Sequence, residues 1–287
     1  MKNLFTSVIA AITIVFSGTT QAQTKSPKLE NSLLWEVSGN GLAKPSYLYG
    51  TIHMICSGDY FLSEKTKKAF EASDKLVLEV NFSDPKETSE MQQLAMGKEP
   101  LSKTLSAEEL SKLDAILKRT SGMTVQQVDS FNLMTVMSLV IMKSFGCPDM
   151  KFYEMEFIEQ AKKRNIEVSG LETIKSQFAI LENAYSNDKI ITMLEESTPE
   201  EMTKLVTAYK SENLNDLYLI TNDKRFTSEK TRKIILDDRN VNWVQQIPAM
   251  IKKESVFFAV GAGHLVGEEG VINLLRKAGY KVKPVMK

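Results

Sequence analysis

The chain is poor in the residues that usually build metal centres. Of its 287 residues only two are histidine and two are cysteine. No C-x-x-C pair occurs, which argues against a zinc ribbon or finger, and no H-E-x-x-H segment occurs, which argues against a zincin helix. An excess of charge is missing too: 36 Lys and Arg stand against 36 Asp and Glu. No basic stripe is interleaved with aromatics, so nothing points to a nucleic-acid partner. Apolar runs long enough to cross a bilayer are also absent. Leu4–Phe16 is too short for a span, follows the basic start Met1-Lys2-Asn3, and leads to the small-x-small site Thr20-Gln21-Ala22. That pattern predicts a secretory signal peptide over residues 1–22, with the mature chain beginning near Gln23. No cysteine lies near the cleavage site, which argues against a lipoprotein anchor. The expected location is therefore periplasmic or secreted, and nothing in the sequence sets an oligomeric state.

What is present is a repeated arrangement. Tyr47-Leu48-Tyr49 runs into Gly50-Thr51-Ile52-His53, and Val256–Val260 runs into Gly261-Ala262-Gly263-His264. Both read as a strand followed by G-x-x-H, and both histidines of the chain are spent in them. Each copy continues with a polar turn, a helix-like segment (63–73 and 271–277) and a further strand (76–80 and 280–285). Strand–turn–helix–strand units build parallel sheet through crossovers, and ligands sit beyond the carboxyl ends of such strands. The glycines Gly50, Gly261 and Gly263 are expected to serve tight turns of positive φ, close backbone approach, and free N–H groups for an oxyanion.

Between the two units the chain reads as mainly helical, over about 85–165 and 185–250. Residues 33–37 and 46–49 form an expected hairpin around Ser38-Gly39-Asn40-Gly41. Ser106 and Glu109 have capping-box spacing. Phe131–Phe145 is apolar nearly all round and predicts a buried helix. Pro199 and Pro248 are expected to break the later helical region. Two short apolar strands carry a misplaced carboxylate: Glu79 within 76–80, and Glu172 at the end of 166–171. A carboxylate there must be solvated, paired or functional. The fold expected is α/β: one central mixed sheet made by the two ends of the chain, 23–287 forming one domain with a large helical insertion. In an exported protein Cys56 and Cys147 read as a bridge or as two free thiols, the geometry being beyond the sequence.

Taken in order, Leu34-Trp35-Glu36-Val37, Tyr49–His53, Leu78-Glu79-Val80, Gly170-Leu171-Glu172-Thr173 with Gln177, Asp238-Arg239-Asn240 with Trp243, and Val260–His264 resemble the TraB/GumN family. The resemblance spans essentially the whole mature chain. It implies kinship with the TIKI metal-dependent proteases and a fold similar to the erythromycin esterases and ChaN-type haem-binding proteins. It also implies a site of His53, Glu79, Glu172, Arg239 and His264. Glu154 falls where many relatives carry Asp, which leaves its role open.

Two histidines and clustered carboxylates suit a divalent metal, Mn, Co or Zn, with an activated water for peptide hydrolysis. In that reading His53, His264 and Glu79 hold the metal. Glu172 is a general base or orients a histidine, and Arg239 binds a substrate carboxylate or an oxyanion. A metal-free hydrolase using a His–Glu pair stands beside it, as does a module that binds haem, a small molecule or a secreted peptide without cutting it.

Overall fold

The computed structural model describes residues 28–225 and 227–286. The expected signal peptide lies outside the described residues. Among the described residues eight strands are present: β1 Leu34–Ser38, β2 Ser46–Thr51, β3 Met54–Cys56, β4 Lys75–Val80, β5 Met150–Phe152, β6 Glu167–Glu172, β7 Val256–Gly261 and β8 Lys281–Pro284. Six of them form one sheet in the order β6-β4-β7-β2-β1-β8. The strands β6, β4, β7 and β2 are parallel, whereas β1 is antiparallel to both β2 and β8. The expected hairpin is thus β1–β2, and the two G-x-x-H strands are direct neighbours, with Gly50 opposite Val260 and Thr51 opposite Gly261.

Every residue of β7 is buried, as befits a central parallel strand covered on both faces. Phe257 packs on Phe70 of the helix Glu64–Glu71 and on Phe157 of the helix Tyr153–Arg164, with ring centroids 5.3 and 5.1 Å apart. Trp243, Ile247 and Ile251 of the helix Asp238–Ile251 are buried in the same core. Pro248 lies inside this helix and does not break it. Pro199 does mark a boundary, as the first residue of Pro199–Lys210, behind a Thr198 capping box.

The insertion has its own core, in which Leu113 and Leu117 of Ala107–Ser121, Val136 and Val140 of Leu133–Ser144, and Ile190 and Leu194 of Asn187–Glu196 are buried. The expectation of a fully buried helix near 131–145 is corrected. Only Leu133, Met134, Val136 and Val140 are buried, because this lobe covers the helix from one side. Among the described residues no helix is long and apolar enough to cross a membrane.

A two-stranded antiparallel sheet, not foreseen from the sequence, joins β3 to β5, with Met54 opposite Phe152 and Cys56 opposite Met150. Cys56 and Cys147 are disulfide-bonded, with Cα atoms 5.9 Å apart. The bridge and the ladder pin the segment following His53 to the segment that starts the helix Tyr153–Arg164.

Candidate functional site

The parallel strands all end on one side of the sheet, and their ends bring together His53, Glu79, Glu172 and His264, far apart in sequence. His53 follows β2 in a left-handed conformation, φ 61°. That backbone lets its carbonyl accept from Tyr153 N at 2.8 Å. The contact sets the first turn of the helix Tyr153–Arg164 against the imidazole. There Glu154 Oε1 lies 2.8 Å from His53 Nδ1 and accepts from Thr51 Oγ1 at 2.9 Å. Glu154 is therefore the carboxyl group that orients His53. The side chain of His53 is 54% exposed, against 9% for Glu154. Burial works against charge on the ring, but Glu154 outweighs it by charge and by hydrogen bond, and the pKa rises from 6.5 to about 9.

The second cluster is closed. Glu79, at the end of β4, is buried; its Oε1 accepts from Gly261 N at 2.8 Å, and its Oε2 from Arg239 Nη2 at 2.6 Å and Gln177 Nε2 at 2.9 Å. Glu172, at the end of β6, accepts from Arg239 Nε at 3.0 Å and Nη2 at 2.8 Å, and from Gln177 Nε2 at 3.1 Å. Arg239 Nη1 donates to Ile235 O at 3.0 Å and meets His264 Nε2 at 3.1 Å. Ile235 belongs to the π-helical turn Lys233–Asp237 that leads into the helix carrying Arg239, a distortion that often marks functional sites. All five guanidinium N–H groups thus face partners within the protein.

The same network fixes the second histidine. Asn240 Nδ2 donates to Glu269 O at 2.8 Å, which leaves Oδ1 to accept from His264 Nδ1 at 2.6 Å. His264 is then the Nδ1-protonated tautomer, and its Nε2 lone pair accepts from Arg239. The imidazole stacks on Trp243 at 4.3 Å. Burial first, then the nearby Arg239 and His53 charges, push its pKa down to about 3, against the pull of Glu79. Burial opposes the charge on Glu79 as well. Its pKa is nevertheless lowered, and because His264 is neutral we ascribe this to the charges of Arg239 and His53 and to the Gly261 N–H. Arg239 is held charged by Glu79 and Glu172 in spite of its burial.

The glycines serve these contacts differently from expectation. None of Gly50, Gly261 and Gly263 has positive φ; that conformation falls on His53 itself. A Cβ on Gly261 would lie 3.0 Å from His53 Nε2 and 3.3 Å from Glu79 Oε1, and one on Gly50 would lie 3.0 Å from Ala262 and Leu265. Close approach is what those two positions require. A Cβ on Gly263 meets nothing nearer than 3.6 Å, so space does not explain that glycine. The Gly261 N–H is spent on Glu79 and is not a free oxyanion donor.

Glu172 meets Arg239 and no histidine. Of the residues expected to hold a metal, His264 Nε2 and Glu79 Oε1 are 3.7 Å apart, but the Arg239 guanidinium already occupies the cationic position beside them. Among the described residues no group of three or more His, Cys, Asp or Glu side chains is placed to hold a metal ion. The donor types suit a divalent ion, but their arrangement around Arg239 does not. Sequence reasoning passed over Thr51 and Asn240 as site residues, although each sits inside a quoted motif, two residues before His53 and one after Arg239.

Comparison with known proteins finds relatives of one kind. Metalloprotease TIKI1 of Danio rerio is 25% identical, over 91% of this chain and 65% of its own length. Metalloprotease TIKI2 of Danio rerio is 22% identical, over 90% of this chain and 62% of its own. Metalloprotease TIKI1 of Homo sapiens is 22% identical, over 93% and 64% respectively. The chain thus spans somewhat under two thirds of the length of these relatives. Residues 33–284 match the TraB/PrgY/gumN family, from just before β1 to the end of β8, and the chain belongs to that family.

Proposed function

We propose that the chain is an exported hydrolase that cuts peptide bonds, with His53 as the group that moves protons. The observation that carries this reading is the contrast between the two histidines. His53 is half exposed with a carboxyl group behind its Nδ1, whereas His264 is sealed against Arg239. A ring so placed has Nε2 free for substrate, and both Nε2 and Glu79 Oε1 border the space that Gly261 keeps open. In the neutral form, Nε2 takes a proton from a water positioned there. The imidazolium that results is stabilised by Glu154 and returns the proton to the departing nitrogen. Glu79, already accepting from Gly261, Arg239 and Gln177, does not take the proton itself. Arg239 holds Glu79, Glu172 and His264 in register, so its role is positioning rather than substrate binding.

The names of the relatives support peptide hydrolysis, and the disulfide supports an oxidising compartment. The donors that a metal would need are arranged around the Arg239 guanidinium. The test is cleavage of a mixed peptide pool, read by mass spectrometry, with and without chelator and added Mn, Co or Zn. Cleavage by the wild type that falls about 100-fold or more in His53→Ala is expected. No cleavage under any of these conditions, or undiminished cleavage by His53→Ala, would overturn the reading.

A further inference from the structure

The strand that follows His53 carries backbone groups that the fold does not use. β3 has β5 as its only neighbour. Two hydrogen bonds fix the phase of their ladder: Tyr153 N donates to His53 O at 2.8 Å, and Ser57 N donates to Asp149 O at 2.9 Å. Ile55 and Lys151 are then the hydrogen-bonded pair between them, and Met54 and Cys56 turn their own backbone groups to the outer edge. Met54 N is bent back to Ile52 O at 2.8 Å, and Cys56 O opens the 3₁₀ turn Ser57–Asp59. Met54 O and Cys56 N remain, and among the described residues neither has a hydrogen-bond partner. The same phase puts Met54 opposite Phe152 and Cys56 opposite Met150 on one face of the ribbon, where such pairs stand close together. The disulfide covers the Cys56 end of that face, with Cys147 Sγ 3.2 Å from Met150 Sδ. The end beside His53 is open: Phe152 is 41% exposed, and Met155, in the helical turn that follows, is 49% exposed.

We propose that β3 receives the substrate as an added strand. An extended peptide bonds its backbone to Met54 O and Cys56 N, and a bulky apolar side chain of that peptide rests on Met54 and Phe152. The proposal rests on the peptide-hydrolase reading above and adds a substrate class to it: unfolded segments that carry a large apolar residue. A carbonyl and an N–H two residues apart on one strand edge match the N–H and C=O of a neighbouring strand running in either direction. A lipid tail would cover Phe152 but satisfy neither backbone group. A second copy of the chain is disfavoured by size: three residues span about 10 Å and offer two such bonds, whereas a stable dimer buries on the order of 1,600 Å². A short contact that forms and releases suits a substrate. The outer edge of β5 lies one strand, about 4.8 Å, further from His53. On the β3 edge, the peptide residue level with Met54 covers the apolar pair, and the next residue along lies level with His53.

The test is NMR of the nitrogen-labelled protein, titrated to millimolar concentration with the peptide Gly-Thr-Phe-Thr-Thr-Gly and with its Ser-for-Phe counterpart. The Phe peptide is expected to shift the Cys56 amide resonance, to slow its exchange with solvent, and to bind about tenfold more tightly than the Ser peptide. Two further versions of the Phe peptide are N-methylated, each on one set of alternate amides. The set that faces β3 is expected to lose binding and the other to keep it, because only one edge of an added strand is paired. Phe152→Ser is expected to weaken the Phe peptide about tenfold and the Ser peptide little. Residue 152 is a helix N-cap, where serine is favoured, so the fold is retained. Leu219→Ser removes an apolar side chain exposed elsewhere and is expected to leave binding unchanged. No shift at Cys56, equal binding of the Phe and Ser peptides, or the same outcome for both N-methylated peptides would overturn the proposal. So would self-association of the wild type that Phe152→Ser abolishes, since the face would then belong to a second copy. The hydrolase reading is scored separately. Cleavage of both peptides at one rate would keep that reading and remove the added strand, whereas a shift at Cys56 with no cleavage would keep the strand and remove the hydrolase.

Discussion

The chain contains only two histidines, and the structure assigns them opposite electrostatic fates. A proton NMR titration of the imidazole C2–H resonances therefore needs just two signals. One, His53, is expected to titrate near pH 9; the other, His264, is expected not to move between pH 5 and 10, because its pKa lies near 3. Glu154→Gln keeps the shape of the partner and removes its charge, so the His53 resonance should fall back toward 6.5, burial and Arg239 then being opposed by Glu79 alone. At full strength, a rise from 6.5 to about 9 corresponds to roughly 3 kcal/mol of preference for the charged ring. Half of the ring faces solvent, and screening reduces this to about 1–2 kcal/mol.

The sign follows from linkage. The folded pKa of His53 lies above the unfolded one, so its contribution to stability is complete below about pH 6.5 and is lost as pH rises through about 9. Urea unfolding at pH 6 and at pH 9.5 should show the wild type losing about 1–2 kcal/mol more than Glu154→Gln over that interval. The proposed chemistry demands the opposite trend in rate: His53 acts as a base when neutral, so kcat/KM should climb with pH toward 9. A wild-type His53 resonance titrating at or below 6.5, or one unmoved by Glu154→Gln, would refute the reasoning.

Three other perturbations probe the rest of the site. Gly261→Ala places a methyl group 3.0 Å from His53 Nε2 and 3.3 Å from Glu79 Oε1, and should cost about 100-fold in peptide cleavage, whereas Gly263→Ala should cleave at close to the wild-type rate. Arg239→Met leaves two buried carboxylates without their cation and should lower stability by about 3–5 kcal/mol in urea unfolding. Calorimetric titration with Mn, Co and Zn should show tighter divalent binding in that variant than in the wild type. Micromolar binding by the wild type, lost in both His53→Ala and His264→Ala, would instead show that the donors rearrange around a metal. Cys56→Ser with Cys147→Ser opens a bridge spanning 91 residues and should cost about 2–5 kcal/mol, and it should also lower the His53 pKa if the β3–β5 ladder loosens.

Much of the fold was legible because it rests on local pattern. Short β-rich runs ending in G-x-x-H announced parallel strands, and both units fell where expected, adjacent in one mixed sheet with the helical insertion between. The two carboxylates out of place in apolar strands, Glu79 and Glu172, do converge on Arg239, since a buried acid must find a partner. What the pattern could not convey was pairing across distance. Nothing in residues 54–56 or 150–152 marks two three-residue strands as partners, yet that ladder brings Glu154 to His53. The helix Leu133–Ser144 likewise advertises apolar faces without saying how many of them another element will cover.

The deepest mismatch concerns the repeat itself. Identical G-x-x-H spelling suggested identical work, two ligands facing one ion. In the structure the residues after the motif decide otherwise. His53 is followed by a strand that pairs with β5 and leaves the imidazole at an open mouth, backed by Glu154. His264 closes a 3₁₀ turn under Trp243, with Asn240 on one nitrogen and Arg239 on the other. The guanidinium stands where a shared ion would be needed, bound to both carboxylates and to the second histidine. Burial keeps His264 neutral and the Arg239 charge reinforces it, the same charge helps to hold Glu79 ionised despite burial, and His53, backed by Glu154, is left as the imidazole able to exchange a proton with a ligand.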